Sequence, residues 1–348
     1  MISPRRWSLQ AVSAWYQQQP WITGANYLPS SAVNQLETFQ AETFDPALND
    51  REIGLAASLG FNTLRVFLHD LLWPQSGFLD RFDQFLAIAA KHGMRVMPVL
   101  FDSCWDPTVR PGPQPPPIPG VHNSRWVQAP GALRLVSPAA EPLLQAYVEG
   151  IIAVHRDDPR ILLWDLWNEP DNGWGVYSDT EAPDKLTHVA RLLTKSFDWA
   201  RNANPTQPLT SGLWVGDFTD PSTVQQIQLS QSDVLSFHNY EPATSFLARV
   251  ESLRPHGRPI LCTEYMARNQ ASTFAAILPV AREQHVAAIH WGLVTGRTQT
   301  RFPWDSWQHP YTDREPQVWC HDVFHPDGTP YLAAETELIA SLTRPLLP

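Results

Sequence analysis

The 348-residue chain has only three cysteines, Cys104, Cys262 and Cys320, an odd number with no paired spacing. A disulfide framework is therefore not expected, and free thiols are. Charge is sparse as well: 17% of residues are charged, and 25 basic against 35 acidic side chains leave a net charge of -10. A protein that tracks a phosphate backbone needs the opposite balance, so no nucleic-acid partner is expected. No apolar run approaches the roughly 18 residues of a membrane span, which argues against a membrane partner. The opening MISPRRWSLQAVSAWYQQQPW has two arginines but no continuous apolar stretch behind them, so the expectation is no secretion signal and a cytoplasmic protein. GxGxxG, GxxxxGK[ST], HExxH and GxSxG are all missing, which removes motif support for nucleotide, zinc-protease and serine-esterase chemistry.

Tryptophan and proline are what the chain has in excess: 15 and 33 residues, in a sequence that is 43% hydrophobic. Tryptophan fills a core awkwardly because its indole N–H must find a partner, so this many suggests surfaces where flat rings meet flat ligands such as sugars, or else extra core packing. Short apolar runs alternate with amphipathic stretches. The runs at Trp21–Leu28, Phe61–His69, Met94–Asp102, Ile161–Glu169, Pro208–Val215, Val234–Tyr240, Pro259–Tyr265 and Val286–Gly296 predict eight strands, apolar on both faces as buried parallel strands must be. Helices are expected at Leu48–Leu59, Phe78–His92, Pro138–His155, Pro183–Asn202, Thr223–Ser230, Phe246–Leu253, Ser272–Gln284 and Tyr331–Leu342. Gly60 and Gly93 stand where left-handed helix C-caps are needed. Eight strand–helix alternations predict an α/β fold, a single (β/α)8 TIM barrel over residues 1–348. Two long loops follow strands 3 and 8: the proline-rich Trp105–Pro130 and Arg297–Asp327, which carries Trp304, Trp307 and Trp319. Such a barrel builds its active site at the strands' C-terminal ends.

Two apolar strands end in carboxylates. Trp164-Asp165-Leu166-Trp167-Asn168-Glu169-Pro170 closes the fourth, and Ile260-Leu261-Cys262-Thr263-Glu264-Tyr265 closes the seventh. Across the mouth of a barrel these glutamates would face one another, the arrangement that glycoside hydrolysis requires. At this point the chain resembles the clan A retaining glycoside hydrolases, and within them the cellulase-like family 5, over nearly the whole barrel. The resemblance implies that Glu169 is the acid/base, that Asn168 binds the sugar 2-hydroxyl, and that Glu264 is the nucleophile. It further implies that Arg65 pairs with Glu264, that His238 and Tyr240 form the His-x-Tyr motif after strand six, and that Trp291 floors the sugar subsite. The family's usual histidine at the end of strand three is absent from Leu100-Phe101-Asp102-Ser103. Asp102 is expected to take its place, or His69 to reach into the site.

Glu264 must be ionised to attack, which Arg65 and the Tyr240 hydroxyl favour, while Glu169 must hold its proton in a drier place. Retention is expected, with carboxyl groups ~5–5.5 Å apart. Trp105, Trp126, Trp174 and Trp304 lie in strand-end loops and are candidates to stack on sugar or to anchor the rim. Cys320-His321 and His325 lack a fourth ligand, so no metal is expected, and no cofactor is called for. The expected partner is a β-linked carbohydrate. A pocket-type enzyme on short glycosides is the favoured activity. The alternatives are an endo-acting β-1,4-glucanase, xylanase or mannanase with an open cleft, and a non-catalytic carbohydrate-binding barrel.

Overall fold

The computed structural model describes residues 6–173 and 175–344. Eight strands appear where the apolar runs predicted them: β1 Thr23–Asn26, β2 Thr63–Phe67, β3 Arg95–Asp102, β4 Trp164–Asn168, β5 Leu209–Gly212, β6 Leu235–Asn239, β7 Ile260–Tyr265 and β8 Ala287–Trp291. All pair in parallel in the order β5-β4-β3-β2-β1-β8-β7-β6. A parallel bridge between Leu213 and Phe237 joins the two ends of the sheet, so the barrel closes. The helices are α1 Leu9–Gln17, α2 Gln35–Phe39, α3 Pro46–Ser58, α4 Phe78–Lys91, α5 Ala132–Val136, α6 Glu141–Val154, α7 Lys185–Asn202, α8 Thr223–Gln231, α9 Ala243–Leu253, α10 Phe274–Glu283 and α11 Ala333–Thr343. The (β/α)8 barrel expected from the alternation is therefore the fold. None of the described helices is long and apolar enough to cross a membrane, and the three cysteines are buried and free.

Local chemistry explains the element ends. Asp45 caps α3 through bonds from the Ala47 and Leu48 amides, with Pro46 at the first helical position. Gly60 and Gly93 adopt φ of 82° and 71° as their helices end. Helix α1 was not expected from the sequence. Its Val12 packs with Trp7, Trp15 and Tyr16 against Ile22, Met97, Leu162, Leu163, Val234, Leu261, Ala287 and Ile289, a second apolar cluster separate from the main one between sheet and helices.

Two details of the sheet aim side chains at the site. The β6–β7 register shifts between Phe237 and His238, so that His238 lies opposite Glu264 instead of Thr263. The β4–β5 register shifts between Asp165 and Asn168. Such irregularities re-aim side chains and are common beside active sites.

The two long loops are joined to each other across the barrel mouth. The Asn123 amide donates to Thr298 O at 2.8 Å and the Tyr311 amide to Gly120 O at 2.9 Å. Gln299 donates to both Ile118 O and Val121 O and accepts from the Gly120 amide. The His122 amide donates to Ser306 Oγ, and its ring Nδ1 lies 2.8 Å from Phe302 O. Loops of this length normally lack such internal order, and here each supplies the other's missing backbone partners.

Closure of the barrel also dictates a small residue at position 24. A Cβ there would lie 1.8 Å from the Thr63 carbonyl oxygen of the neighbouring strand. Gly24→Ala should therefore destabilise the fold by about 3 kcal/mol or more, the upper end for over-packing. Urea unfolding measures this; an unchanged midpoint would mean that β1 can move aside.

Candidate active site

The site begins with one buried cation. Arg65 on β2 is fully buried and bonds to three other strands. Its Nη1 donates to Asn26 Oδ1 on β1 at 2.8 Å and to Glu264 Oε1 on β7 at 2.7 Å. Its Nε and Nη2 both reach Asp165 Oδ2 on β4, at 3.0 and 2.8 Å, and Nη2 also donates to Asn168 Oδ1 at 2.6 Å. Burial alone would lower the affinity of this guanidinium for its proton, but Asp165 and Glu264 more than offset that, and its pKa rises above the ordinary value. Asn26 in turn donates to Thr263 O and His290 O, so β1 is tied to β7 and β8 at the same level.

Glu264 receives a second bond on its other oxygen, from the Tyr240 hydroxyl at 2.7 Å. Glu169 stands across from it at φ 43°, a left-handed conformation at the turn before Pro170 that few non-glycine residues adopt. Its Oε1 lies 2.5 Å from His238 Nδ1, while Oε2 accepts from Asn172 Nδ2 at 2.6 Å and from the Cys104 thiol at 3.2 Å. One oxygen from each glutamate and one ring nitrogen of His238 lie within 4.8 Å of one another. These are the described residues whose donor atoms converge closely enough to hold an ion. The guanidinium already in contact with Glu264 would repel a cation there, so the arrangement fits an acid–base pair better than a metal centre.

Burial raises Glu169 above the ordinary carboxylate range, against the lowering influence of Asn172, Cys104 and the Arg65 and Arg249 charges. Burial raises Glu264 too, opposed by His238, Arg65 and Tyr240 and reinforced by Glu169. The two carboxyls differ in contact, since only Glu264 touches a cation. Burial pushes His238 down to about 4, so its imidazole is neutral at neutral pH. The Tyr240 phenol is driven well above its usual range by burial and by Glu264, and stays a donor.

Around this centre lies a cavity of ≈ 290 Å³ lined by Trp105, Trp126, Asn168, Glu169, His238, Tyr240, Glu264, Trp291 and Trp304, all anticipated from the sequence. Trp126 and Trp291 meet Phe67 edge-on and each other at 5.4 Å, forming one wall, and Trp304 meets Tyr240 edge-on at 5.2 Å. Trp105 is stacked on Trp307 at 5.0 Å. Trp174 lies outside the described residues. Trp319 stacks on Tyr331 at 4.3 Å, away from the cavity lining, and holds its loop in place.

Two expectations require correction. Asp102 does not replace a sugar-binding histidine: Oδ2 accepts from Trp126 Nε1 at 2.7 Å, and Oδ1 from the Cys104 amide and Asn168 Nδ2. It braces those residues from behind the cavity wall. His69 does not reach the site either, because its Nε2 lies 3.1 Å from Gln128 O and its Nδ1 accepts from the Leu71 amide. β2 ends at Phe67, and the chain beyond it turns to brace the Trp105–Pro130 loop. The cavity also contains residues that sequence reasoning missed: Cys104, His122, Asn172, Trp214, Glu241, Arg249, Gln270 and His321. Asn172, three residues after Glu169, and Trp214, directly after β5, could have been found from their places at strand ends. His122 lies in a loop without periodicity and carried no signal, and His321 was weighed only as part of an incomplete metal set.

A family model described as cellulase, glycosyl hydrolase family 5, matches residues 28–309. The chain is 30% identical over 95 residues to a probable mannan endo-1,4-β-mannosidase F of Aspergillus flavus, a match that covers 26% of this chain and 18% of that protein. Among solved structures, it resembles the exo-β-1,4-mannosidase Op5Man5 from Opitutaceae bacterium strain TAV5, with a TM-score of 0.61 and 20% identity. That likeness covers 92% of this chain and 59% of the other. GH5_18 from Streptomyces cattleya, in complex with Manβ1-4GlcNAc, gives a TM-score of 0.64 at 15% identity, covering 93% of this chain and 80% of that one.

The structural weight of the buried cation can be measured. Arg65→Met would strand fully buried Asp165 without a counter-charge, and should destabilise the protein by about 3–5 kcal/mol. Chemical unfolding reads this directly; a loss below about 1 kcal/mol would show that Asp165 finds another partner.

Proposed function

The chain belongs to glycosyl hydrolase family 5, the cellulase family of clan A, and from that premise we propose a retaining β-glycosidase that trims short β-mannosides from one end. Glu264 is the nucleophile and Glu169 the acid/base. The observation that carries this reading is the approach of the two carboxylates to within 4.8 Å. A retaining pair stands ~5–5.5 Å apart, whereas an inverting pair needs ~6.5–9.5 Å to admit a water molecule.

In the first step a Glu264 oxygen forms a bond to the anomeric carbon while the glycosidic C–O bond breaks, and Glu169 gives its proton to the departing oxygen. Arg65 and Tyr240 hold Glu264 in line without neutralising it by protonation. Once Glu264 is an ester, its negative charge no longer opposes ionisation of Glu169. The Glu169 carboxylate then takes a proton from water as the water oxygen attacks the same carbon, and Glu264 leaves as carboxylate. Neutral His238 keeps its contact with Glu169 through both steps.

A pocket is supported by the joined loops over the mouth and by a cavity near the lower end of the ~300–1,000 Å³ usual for small ligands. The mannoside preference rests on the relatives' names. One feature favours the endo-acting alternative: an outer cavity of ≈ 590 Å³, lined by Tyr311 and Arg314, shares Gln270 and Trp304 with the inner one.

Azide tests the two roles separately. Glu264→Ala should lose at least about 10⁴-fold in kcat, and azide should restore turnover to a glycosyl azide of inverted configuration. With Glu169→Ala, azide should yield the retained azide instead. Rescue of neither variant would overturn the assignment. On manno-oligosaccharides the parent enzyme should release one sugar per event, with no early loss of mannan viscosity; rapid viscosity loss would favour the endo reading.

A further inference from the structure

The proposed mechanism leaves unused a thiol in direct contact with its acid/base. Cys104 follows β3 by two residues, is buried, and lines the cavity. Its Sγ lies 3.2 Å from Glu169 Oε2, 3.4 Å from Asn168 Nδ2 and 3.5 Å from Asn172 Nδ2. The backbone holds it there: its amide donates to Asp102 Oδ1 at 2.8 Å, and the next residue, Trp105, takes φ 70°. The two side-chain amides point N–H groups at the sulfur. Its own proton is thus directed to Glu169, the nearest acceptor.

We propose that Cys104 is a positioning residue for the acid/base, its S–H clamping Glu169 Oε2 together with Asn172 and setting the pH at which Glu169 gives up its proton. This rests on the reading of Glu169 as acid/base. The clamp matters because one carboxyl must serve as acid in the first step and as base in the second. A donor on Oε2 favours the ionised form, whereas burial favours the protonated one. A thiol is a weaker donor than a hydroxyl, so it moderates the effect of burial without abolishing the acid. Burial and the neighbouring carboxylates keep the thiol itself well above its usual range, so it remains a donor throughout.

The charged and titratable groups around Glu169 keep their places: Arg65 from β2 with Asp165 paired to it, Asp171 just beyond β4, Lys185 from α7 on the Asn172 carbonyl, His238 from β6 and Tyr240 directly after it, Arg249 from α9 and Glu264 from β7. Asn172 and Asp102 also touch Cys104, the one donating to its sulfur and the other accepting from its amide. Removal of the S–H withdraws one donor from Glu169 Oε2 and should raise its pKa. The alkaline limb of kcat/KM, which reports loss of the acid's proton in the free enzyme, should move up.

The test uses 4-nitrophenyl β-mannoside across pH. Cys104→Ala and Cys104→Val both remove the donor, one leaving a void and the other filling it, so either can carry the measurement if its counterpart fails to fold. Each should shift the alkaline limb upward by about half to one unit, the scale of one weak hydrogen bond to a charged group. Cys104→Ser, which keeps a donor, should leave the limb at or below its parent position. A purely structural role would lower rates at every pH without moving the limb, and that result overturns the proposal. Glu169→Ala separates this failure from failure of the underlying reading. It should lose far less activity on 2,4-dinitrophenyl β-mannoside, whose departing oxygen needs no proton, than on mannobiose. An equal loss on both would mean that Glu169 is not the acid.

Discussion

The interaction on which the rest depends is the Arg65 guanidinium, sealed inside the barrel and shared among β1, β2, β4 and β7. Taking such a charge out of water is costly and becomes tolerable only with full pairing. Asp165 supplies one counter-charge and Glu264 the other, with Asn26 and Asn168 completing the donors' needs. The pairing ties strand ends from both sides of the mouth to one rigid group. It also opposes the upward push that burial exerts on the Glu264 carboxyl. Glu169 lies close by without a cation in contact; burial raises it too, opposed by Asn172, Cys104 and the more distant Arg65 and Arg249 charges.

The tryptophans belong to the same logic. Trp126 needs a partner for its indole N–H and finds it in Asp102, which also supports the Cys104 amide and Asn168. A flat apolar wall is thereby linked by hydrogen bonds to the residues around Glu169. Trp105 and Trp307 stack across the seam between the two long loops, where Gln299 and His122 join one backbone to the other. Sugar rings have apolar faces and hydroxyl edges, and this lining offers aromatic faces beside polar groups in one small volume.

Much of this was legible in the chain. Strands covered on both sides must be apolar throughout, so eight short runs such as Met94–Asp102 and Ile161–Glu169 stood out, and the polar residue ending each run had to lie at the mouth. That reasoning located Glu169 and Glu264, and the resemblance to family 5 added Arg65, Asn168, His238, Tyr240 and Trp291; every one of them lies in or directly behind the cavity. It failed once the strands ended. Asp102 and His69 were expected to stand in for the histidine that the family pattern carries at the end of strand three, yet both turn to brace the loop that follows β3. Cys104 carries no sequence signal, since a lone thiol reads as core.

The amino-acid order by itself determined the alternation of strand and helix, the ends of the strands that carry chemistry, and the pair of glutamates ninety-five positions apart. These follow from local periodicity and from the rule that polar groups collect where an apolar strand meets solvent. Only the tertiary structure decided which way the side chains beyond the strands turn. It set the His238 register against Glu264 and the closing of one long loop upon the other. Those outcomes come from hydrogen bonds between residues as far apart as Gly120 and Tyr311, whose partners exist only once the barrel has brought them together.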